Sequence, residues 1–175
     1  MKMLITGAAG YIGSHVAERL QSLGNEIVGL DNFSNYYDVS LKEMNASVLY
    51  LKGIKTEKLD LRFPEQLSIL PTDFDYIFHF AAQPGISASS SFEDYLGNNV
   101  ISTKNILDFA LKNQNLKLFV NIATSSIYGI HATFDESVAP TPASFYGVTK
   151  LAAEQLVLAS SRAGKIKACS LRLYS

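Results

Sequence analysis

The sequence of 175 residues has only one cysteine, no tryptophan and no excess of one charge sign. With Cys169 as its single thiol, the chain forms no internal disulfide, and we expect a small buried side chain in a reducing, cytoplasmic setting. The formal net charge is -1 and the basic residues are scattered along the sequence. We therefore expect neither nucleic acid nor an anionic membrane as a partner. Apolar runs of roughly 20 residues, which a membrane span needs, are also lacking.

What the chain does contain is a regular alternation of short apolar runs and longer helical segments, with enough apolar material for one domain. This alternation predicts an α/β fold with a parallel sheet and helices on both faces. In such sheets, ligands bind beyond the carboxyl ends of the strands. The predicted strands are Met3–Thr6, Glu26–Leu30, Ile54–Leu59, Tyr76–Ala81, Leu118–Ala123 and Ile166–Leu173, and the predicted helices are Tyr11–Leu23, Ser40–Leu51, Pro64–Leu70, Tyr95–Asn113 and Ala143–Ala163.

The first predicted strand runs into a glycine-rich turn that opens the first helix. Gly7, Gly10 and Gly13 form a G-x-x-G-x-x-G run. Such glycines permit a tight turn, close approach of the backbone to a pyrophosphate, and close packing of helix on strand. The amides of Tyr11 and Ile12, at the positive end of the helix dipole, would bind the phosphates. The strand–turn–helix context favours a dinucleotide site over a purely structural turn.

Acidic residues follow the second and third strands. Asp31 stands where a carboxylate would bind the adenine ribose and repel a 2′-phosphate, which favours NAD over NADP. The alternative is a polar turn formed by Asp31 and Asn32. Asp60, followed by Leu61, would place a carboxylate near the adenine, and a helix-capping role is equally consistent with the sequence.

Tyr146 and Lys150 stand four residues apart, so on a helix they share one face. A phenol is a poor base at neutral pH unless positive charge lowers its pKa, and Lys150 with an oxidised nicotinamide would supply that charge. The alternative is an incidental pair on a helix surface. Thr124, Ser125 and Ser126 follow the fifth strand, where they are either ordinary loop residues or hydroxyls that bind a substrate and relay its proton.

Taken in order, these motifs resemble the extended short-chain dehydrogenases/reductases, and among them the NAD-dependent epimerases and dehydratases. The resemblance extends over essentially the whole chain and implies a Rossmann-type, doubly wound αβα fold with strand order 3-2-1-4-5-6. The segments 31–42 and 79–85 are most similar to UDP-glucuronate 4-epimerases. The residues that carry the broader resemblance to the extended short-chain dehydrogenases/reductases are the glycine run, Asp31, His79-Phe80-Ala81-Ala82, Asn99-Val100, Thr124-Ser125-Ser126, and Tyr146 with Lys150.

The resemblance also implies a role for each matching residue. Tyr146 would be the catalytic base and acid, Lys150 would lower its pKa and bind the nicotinamide ribose, and Thr124 would bridge substrate and tyrosine. Hydride would leave carbon 4 of a nucleotide sugar for NAD and return to the other face. Substrate would be contacted by Ser125, Ser126 and Gln83. No metal ion is expected in the site. NAD would be bound by Gly7, Gly10, Tyr11, Ile12, Gly13, Asp31, Asn32, Asp60, Leu61, Ala81, Ala82, Asn99, Tyr146 and Lys150.

Other functions remain as alternatives. Similar 4,6-dehydratases carry an acidic pair after the threonine, and because Ser125 and Ser126 occupy those positions here, epimerisation of UDP-glucuronate or UDP-glucose is favoured. The alternatives are a reductase, decarboxylase or dehydratase on the same scaffold, and a non-catalytic NAD-binding module. His79, on an apolar strand, is expected to be a core residue without a catalytic role.

The resemblance further implies that residues 1–175 form the NAD-binding domain, with the family's C-terminal substrate domain outside the chain. That domain orients the sugar and excludes water, so we expect the chain alone to bind NAD but to turn over nucleotide sugar poorly. The two long helices near Tyr95 and Ala143 would form a homodimer interface.

Overall fold

A computed structural model describes residues 1–85, 90–130 and 135–174. Strands and helices alternate along these residues, as the sequence predicts. The strands are β1 (Lys2–Thr6), β2 (Glu26–Asp31), β3 (Lys55–Lys58), β4 (Tyr76–His79), β5 (Leu118–Thr124) and β6 (Ala168–Leu173). The α-helices are α1 (Tyr11–Ser22), α2 (Val39–Leu51), α3 (Phe92–Tyr95), α4 (Ser102–Ala110) and α5 (Phe145–Arg162), and the 3-10 helices are Pro64–Ile69 and Ser125–Tyr128.

Within the described residues, six parallel strands form one sheet in the order β3-β2-β1-β4-β5-β6. The chain moves outward from β1 to β3 and then returns to place β4 on the other side of β1. The connections therefore leave in opposite directions at the β1–β4 boundary, where a crevice opens above the carboxyl ends of the strands. The predicted Rossmann-type topology is confirmed.

Each face of the sheet is covered by its own apolar core. On one face, Ala17 of α1 and Leu49 of α2 pack with Met3, Ile5 and Ile27. On the other face, α4 and α5 cover a larger cluster that contains Leu4, Leu30, Ile77, Ile106, Phe109, Phe119 and Val157. Because strands β1, β2, β4 and β5 are buried on both sides, their ends are held rigidly at the crevice.

The predicted long helix near Tyr95 differs from the observed one in its start and its winding. It begins at Phe92, because Ser91 and Asp94 form a capping box. Its middle, Leu96–Ile101, is a π-helical turn between α3 and α4, and the helix ends at Ala110. A π turn adds a residue to the turn and so changes which side chains face the crevice.

The prediction that Cys169 is a buried side chain is wrong. Cys169 lies on β6, which is the edge strand of the sheet, and it is partly exposed. An edge strand has a neighbour on one side only, so its side chains are less completely covered than those of central strands.

Candidate active site

A cavity of about 640 Å³ opens at the crevice and brings together most of the residues predicted to bind cofactor or substrate. Its size and its mixture of apolar walls with a few polar groups are typical of a small-molecule site. Asn99 and Ser125 are the two predicted residues that do not line it. Those that do are Gly7, Gly10, Tyr11, Ile12, Gly13, Asp31, Asn32, Asp60, Leu61, Ala81, Ala82, Gln83, Thr124, Ser126, Tyr146 and Lys150.

The glycine turn forms the floor of one half of the cavity. Gly7 has a φ of 71°, and a Cβ atom on Gly13 would lie 2.1 Å from the Gly7 carbonyl oxygen, so both positions need glycine. The amides of Tyr11 and Ile12 open α1 beside the cavity, and within the described residues they donate to no protein acceptor. Free amides at a helix N-terminus fit the pyrophosphate of a dinucleotide.

Asp31 ends β2 in the same half of the cavity and is only 4% exposed. Its carboxylate accepts hydrogen bonds from the amides of Ala9 at 3.2 Å and Phe33 at 2.8 Å. Lys42 of α2 forms an ion pair with it at 3.3 Å and also donates to Ser34 at 3.1 Å. Lys42 therefore belongs to the candidate ribose site, and the sequence carried no signal for it because its position depends on how α2 packs.

Asp60 also faces the cavity, but its carboxylate caps no helix. It is paired with Arg62, whose Nη2 lies 2.6 Å from Oδ2, and it accepts a 3.4 Å hydrogen bond from Asn32. Burial raises the pKa of Asp60, but the hydrogen bonds from Arg62 outweigh burial and leave the pKa below its ordinary value. Asp60 thus remains an anion that links Asn32 to the cavity wall.

Tyr146 occupies the opposite half of the cavity, at the start of α5. Ser144 caps this helix through a 3.1 Å hydrogen bond from the Gly147 amide. Burial raises the pKa of Tyr146, and a hydrogen bond with Thr124 only partly offsets that rise. The predicted lowering of this pKa by Lys150 is therefore not found in the protein alone, because burial of the phenol dominates. The hydroxyl oxygen of Thr124 also lies 3.1 Å from that of Ser126.

Lys150 lies one turn further along α5 with its ammonium group buried. Its Nζ donates to the carbonyl oxygen of Ile122 on β5 at 2.6 Å. Burial lowers the pKa of Lys150 to about 8, while the negative charge of Glu154 acts in the opposite direction. The sequence predicted the shared helical face but not this anchor on β5.

Glu154 is the negatively charged residue that acts on the pKa of Lys150. It is completely buried, and its carboxylate receives bonds from Arg172 at 2.8 and 3.2 Å and from Ser170 at 3.0 Å. Arg172 also donates to the hydroxyl of Tyr128, which belongs to the short 3-10 helix that follows Thr124. One buried ion pair thus ties together β6, α5 and the segment that carries the hydroxyl cluster.

Asn99 and Ser125 do not line the cavity, because of the hydrogen bonds of Asn99 and the position of Ser125 in its helix. The Asn99 side chain accepts a 2.7 Å hydrogen bond from the Gln83 amide and donates to Thr149 at 3.2 Å, so it supports the wall from behind. Its neighbour in the π turn, Asn98, lines the cavity instead. Ser125 begins the 3-10 helix, whose tight winding turns successive side chains to different sides, so that Ser126 faces inward.

The described part of the chain lacks two other types of site. No helix there is long and apolar enough to cross a membrane. The same residues contain no group of three or more His, Cys, Asp or Glu side chains arranged to hold a metal ion.

Comparison with known proteins identifies the family. A sequence model of the NAD dependent epimerase/dehydratase family matches residues 3–175. The chain belongs to this family. The predicted family and its cofactor, NAD, are thereby confirmed, and the free amides of Tyr11 and Ile12 together with Asp31 provide the groups that such a dinucleotide requires.

Relatives within the epimerase/dehydratase family include epimerases of nucleotide sugars. UDP-glucuronate 4-epimerase 1 of Arabidopsis thaliana is 36% identical over 162 residues, which are 89% of this chain and 38% of the plant protein. The structure of UDP-glucuronic acid 4-epimerase from Bacillus cereus with UDP-glucuronic acid and NAD is 33% identical, with a TM-score of 0.86 over 98% of this chain and 56% of that one.

UDP-glucose 4-epimerase from Thermus thermophilus, solved with NAD, is 29% identical, with a TM-score of 0.80 over 98% of this chain and 54% of that one. The chain therefore spans about half of the length of these bacterial relatives and less of the plant protein.

Proposed function

We propose that the protein is an NAD-dependent epimerase that inverts carbon 4 of UDP-glucuronate or UDP-glucose, and that residues 1–175 provide its NAD-binding domain. The observation that carries this proposal is the convergence of Tyr146, Lys150 and Thr124 on the same cavity as the glycine turn and Asp31. A nucleotide-binding floor and a proton-transfer group at its far end are the two parts that hydride chemistry on an alcohol requires.

The two ends of the cavity support one orientation of the cofactor. Asp31 and Lys42 would hold the adenine ribose, and the amides of Tyr11 and Ile12 would hold the pyrophosphate. The nicotinamide end would then lie toward Tyr146 and Lys150. When bound, NAD supplies a reversible hydride acceptor and a positive charge.

Tyr146 is the residue that moves the proton. Its phenol oxygen would take the proton of the sugar 4-hydroxyl as the carbon is oxidised and return it after the sugar has turned over. Burial raises the pKa of Tyr146 in the protein alone, so the base form depends on positive charge in the assembled site. Lys150, held by Ile122 and balanced by Glu154, contributes part of that charge from a fixed position.

The hydroxyl cluster favours epimerisation over dehydration. Elimination of water from a keto sugar needs an acid and a base beside the carbonyl. The residues that follow Thr124 are serines, and only Ser126 of the two faces the cavity. The site thus has hydroxyls to orient a sugar but no carboxylate at this position.

The test is product analysis with the full-length protein. It is incubated with UDP-glucuronate and, separately, UDP-glucose, and the products are identified by proton NMR. We expect the 4-epimer, and we expect the Y146F variant to keep NAD but to form the epimer at least a hundredfold more slowly. A 4-keto-6-deoxy sugar would contradict epimerisation, and NAD binding without turnover of either sugar would favour the binding-module alternative.

Exposed apolar side chains support the homodimer as part of this proposal. Phe92 and Phe145 contact edge to face at 5.3 Å between ring centroids, and both are exposed on neighbouring helices. Leu96 and Val148 extend the same kind of surface along these helices. A patch of this kind is typical of a subunit interface. Light scattering should give twice the chain mass, with F145E reducing it to that of a monomer.

A further inference from the structure

His79 is buried directly behind the wall of the cavity and bonds to two other elements of the fold. It is 2% exposed and does not line the cavity itself. Its Nδ1 lies 2.8 Å from the hydroxyl of Thr6 on β1, and its Nε2 lies 2.9 Å from the hydroxyl of Thr103 on α4. Both nitrogens of the buried imidazole thus have hydrogen-bond partners, one on each side of the ring.

The directions of these hydrogen bonds follow from the group at the end of the series, the carbonyl of Asn99. The Thr103 hydroxyl lies 2.6 Å from the carbonyl oxygen of Asn99, and since a carbonyl cannot donate, Thr103 donates to it. Thr103 has no second hydrogen, so Nε2 of His79 must carry the proton and donate to Thr103. A neutral imidazole then accepts at Nδ1, and Thr6 donates there.

The chain of bonds ends at the cavity wall. The Ala81 amide, which lies in the wall next to the glycine turn, donates to the same Thr6 hydroxyl at 3.2 Å. Every hydrogen bond in the series from the Ala81 amide to the Asn99 carbonyl thus has one donor and one acceptor, and only one arrangement of the hydrogen atoms allows this. At the far end, the Asn99 side chain bonds to the Gln83 amide and to Thr149, the residue before Lys150.

We propose that His79 is a positioning residue, fixed in the Nε2–H tautomer, whose bonds to Thr6 and Thr103 hold the Ala81–Gln83 wall of the cofactor cavity in place. This rests on the proposed function, because the wall matters only if a dinucleotide lies against it. The imidazole does not line the cavity, and it acts through Thr6 on the Ala81 amide and through Thr103 on the π turn.

The surroundings of His79 keep it neutral, as the bond directions require. Burial lowers its pKa to about 3, and the positive charge of Lys150 acts in the same direction. Phe119 packs against the imidazole ring, with 6.1 Å between ring centroids, and adds no charge. A protonated imidazole would donate at both nitrogens, so Thr6 could no longer donate to Nδ1.

The first test is the tautomer in the unmodified chain. Histidine labelled with nitrogen-15 is observed by long-range proton–nitrogen correlation, and the His79 signals are assigned by their loss in H79Q. We expect the pattern of an Nε2–H imidazole, unchanged from about pH 8 down to about pH 5. An Nδ1–H pattern, or protonation within that range, would overturn the proposal.

The second test compares T103V, which removes the acceptor of the Nε2 proton, with T103S, which keeps it. We expect T103S to retain the tautomer and the affinity for NAD, and T103V to lose the single tautomer and to bind NAD about tenfold more weakly. If T103V does not fold, T6V and T6S provide the same comparison, with faster hydrogen exchange of the Ala81 amide in T6V. Equal NAD affinity for the valine and serine variants would overturn the positioning role.

A different result tests the function on which this role rests. If the unmodified chain shows the Nε2–H tautomer but binds no NAD, the proposed function and the positioning role both fail, while the bond directions stand. The tautomer and the NAD affinity are measured separately, so the two failures are distinguishable.

Discussion

Gly85 lies against the ring of Tyr146 so closely that a Cβ atom at residue 85 would be 2.4 Å from Cδ1 and 2.6 Å from Cγ of the tyrosine. Cγ and Cδ1 lie at the end of the ring that is bonded to Cβ, so they cannot move away unless the whole side chain moves. The absence of a side chain at Gly85 is therefore a condition for the present position of the proposed catalytic phenol.

G85A should displace Tyr146 and reduce turnover by the full-length protein by about a hundredfold, since shifts of about 1 Å in a reacting group have effects of this size. The free energy of unfolding should fall by about 1–3 kcal/mol, as is usual for overpacking. G97A is the matched control, because among the described residues its Cβ would meet only the Arg62 side chain, at an ordinary 3.4 Å. Equal kcat values for the two variants would contradict the assigned role of Tyr146.

Cofactor preference should depend on the pair formed by Asp31 and Lys42. Two amides and Lys42 bond to the Asp31 carboxylate and hold its negative charge where it would oppose a 2′-phosphate. D31N removes that charge but leaves the Lys42 ammonium in the site. We therefore expect NAD to bind roughly tenfold more weakly to D31N and NADP to bind more tightly than to the unmodified chain.

Calorimetric titration of both cofactors measures this change. The double variant D31N/K42M is the control, since without the ammonium group the gain for NADP should disappear. A D31N variant that binds NADP no better than the unmodified chain would place the adenine ribose elsewhere.

The order of the strands and helices could be predicted from sequence, because the spacing of apolar residues within each short segment indicates whether that segment is a strand or a helix. The same holds for the glycine turn, since Gly7 and Gly13 are needed for backbone reasons that do not depend on distant parts of the fold. Asp31 and the Tyr146–Lys150 pair follow directly from strand ends and helical spacing.

Features set by tertiary packing could not be predicted in this way. The π turn that exchanges Asn98 for Asn99 at the cavity has no sequence signal, and neither does the placement of Lys42 beside Asp31. Burial of the phenol, which raises the pKa of Tyr146 in the protein without NAD, could not be predicted either, because it is a property of the folded cavity. The role of His79 similarly depends on contacts with Thr6 and Thr103, which lie far away in sequence.

Burial of the Lys150 ammonium should make stability rise with pH. Its pKa is lowered to about 8 in the folded chain, whereas an unfolded lysine has a pKa of about 10.4. Between these values the unfolded chain binds more protons, so the cost of burying the charge is relieved as pH rises. The free energy of unfolding should increase by up to about 1.4 kcal/mol per pH unit from about pH 8 to about pH 10.

Urea unfolding without NAD across this range measures the slope. K150M should lack this contribution, and K165M, which removes an exposed lysine, should retain it. Parallel curves for the unmodified chain and K150M would show that the ammonium is not buried as described.

The proposed hydride transfer at carbon 4 is tested most directly by following a deuterium label. The full-length protein is incubated with UDP-glucuronate deuterated at carbon 4, and the deuterium content of the 4-epimer is measured by mass spectrometry and NMR. We predict that the label stays on carbon 4 of the product, because hydride returns to the carbon it left while Tyr146 exchanges only the hydroxyl proton. Loss of the label to water, or formation of the epimer by protein free of NAD, would contradict the mechanism.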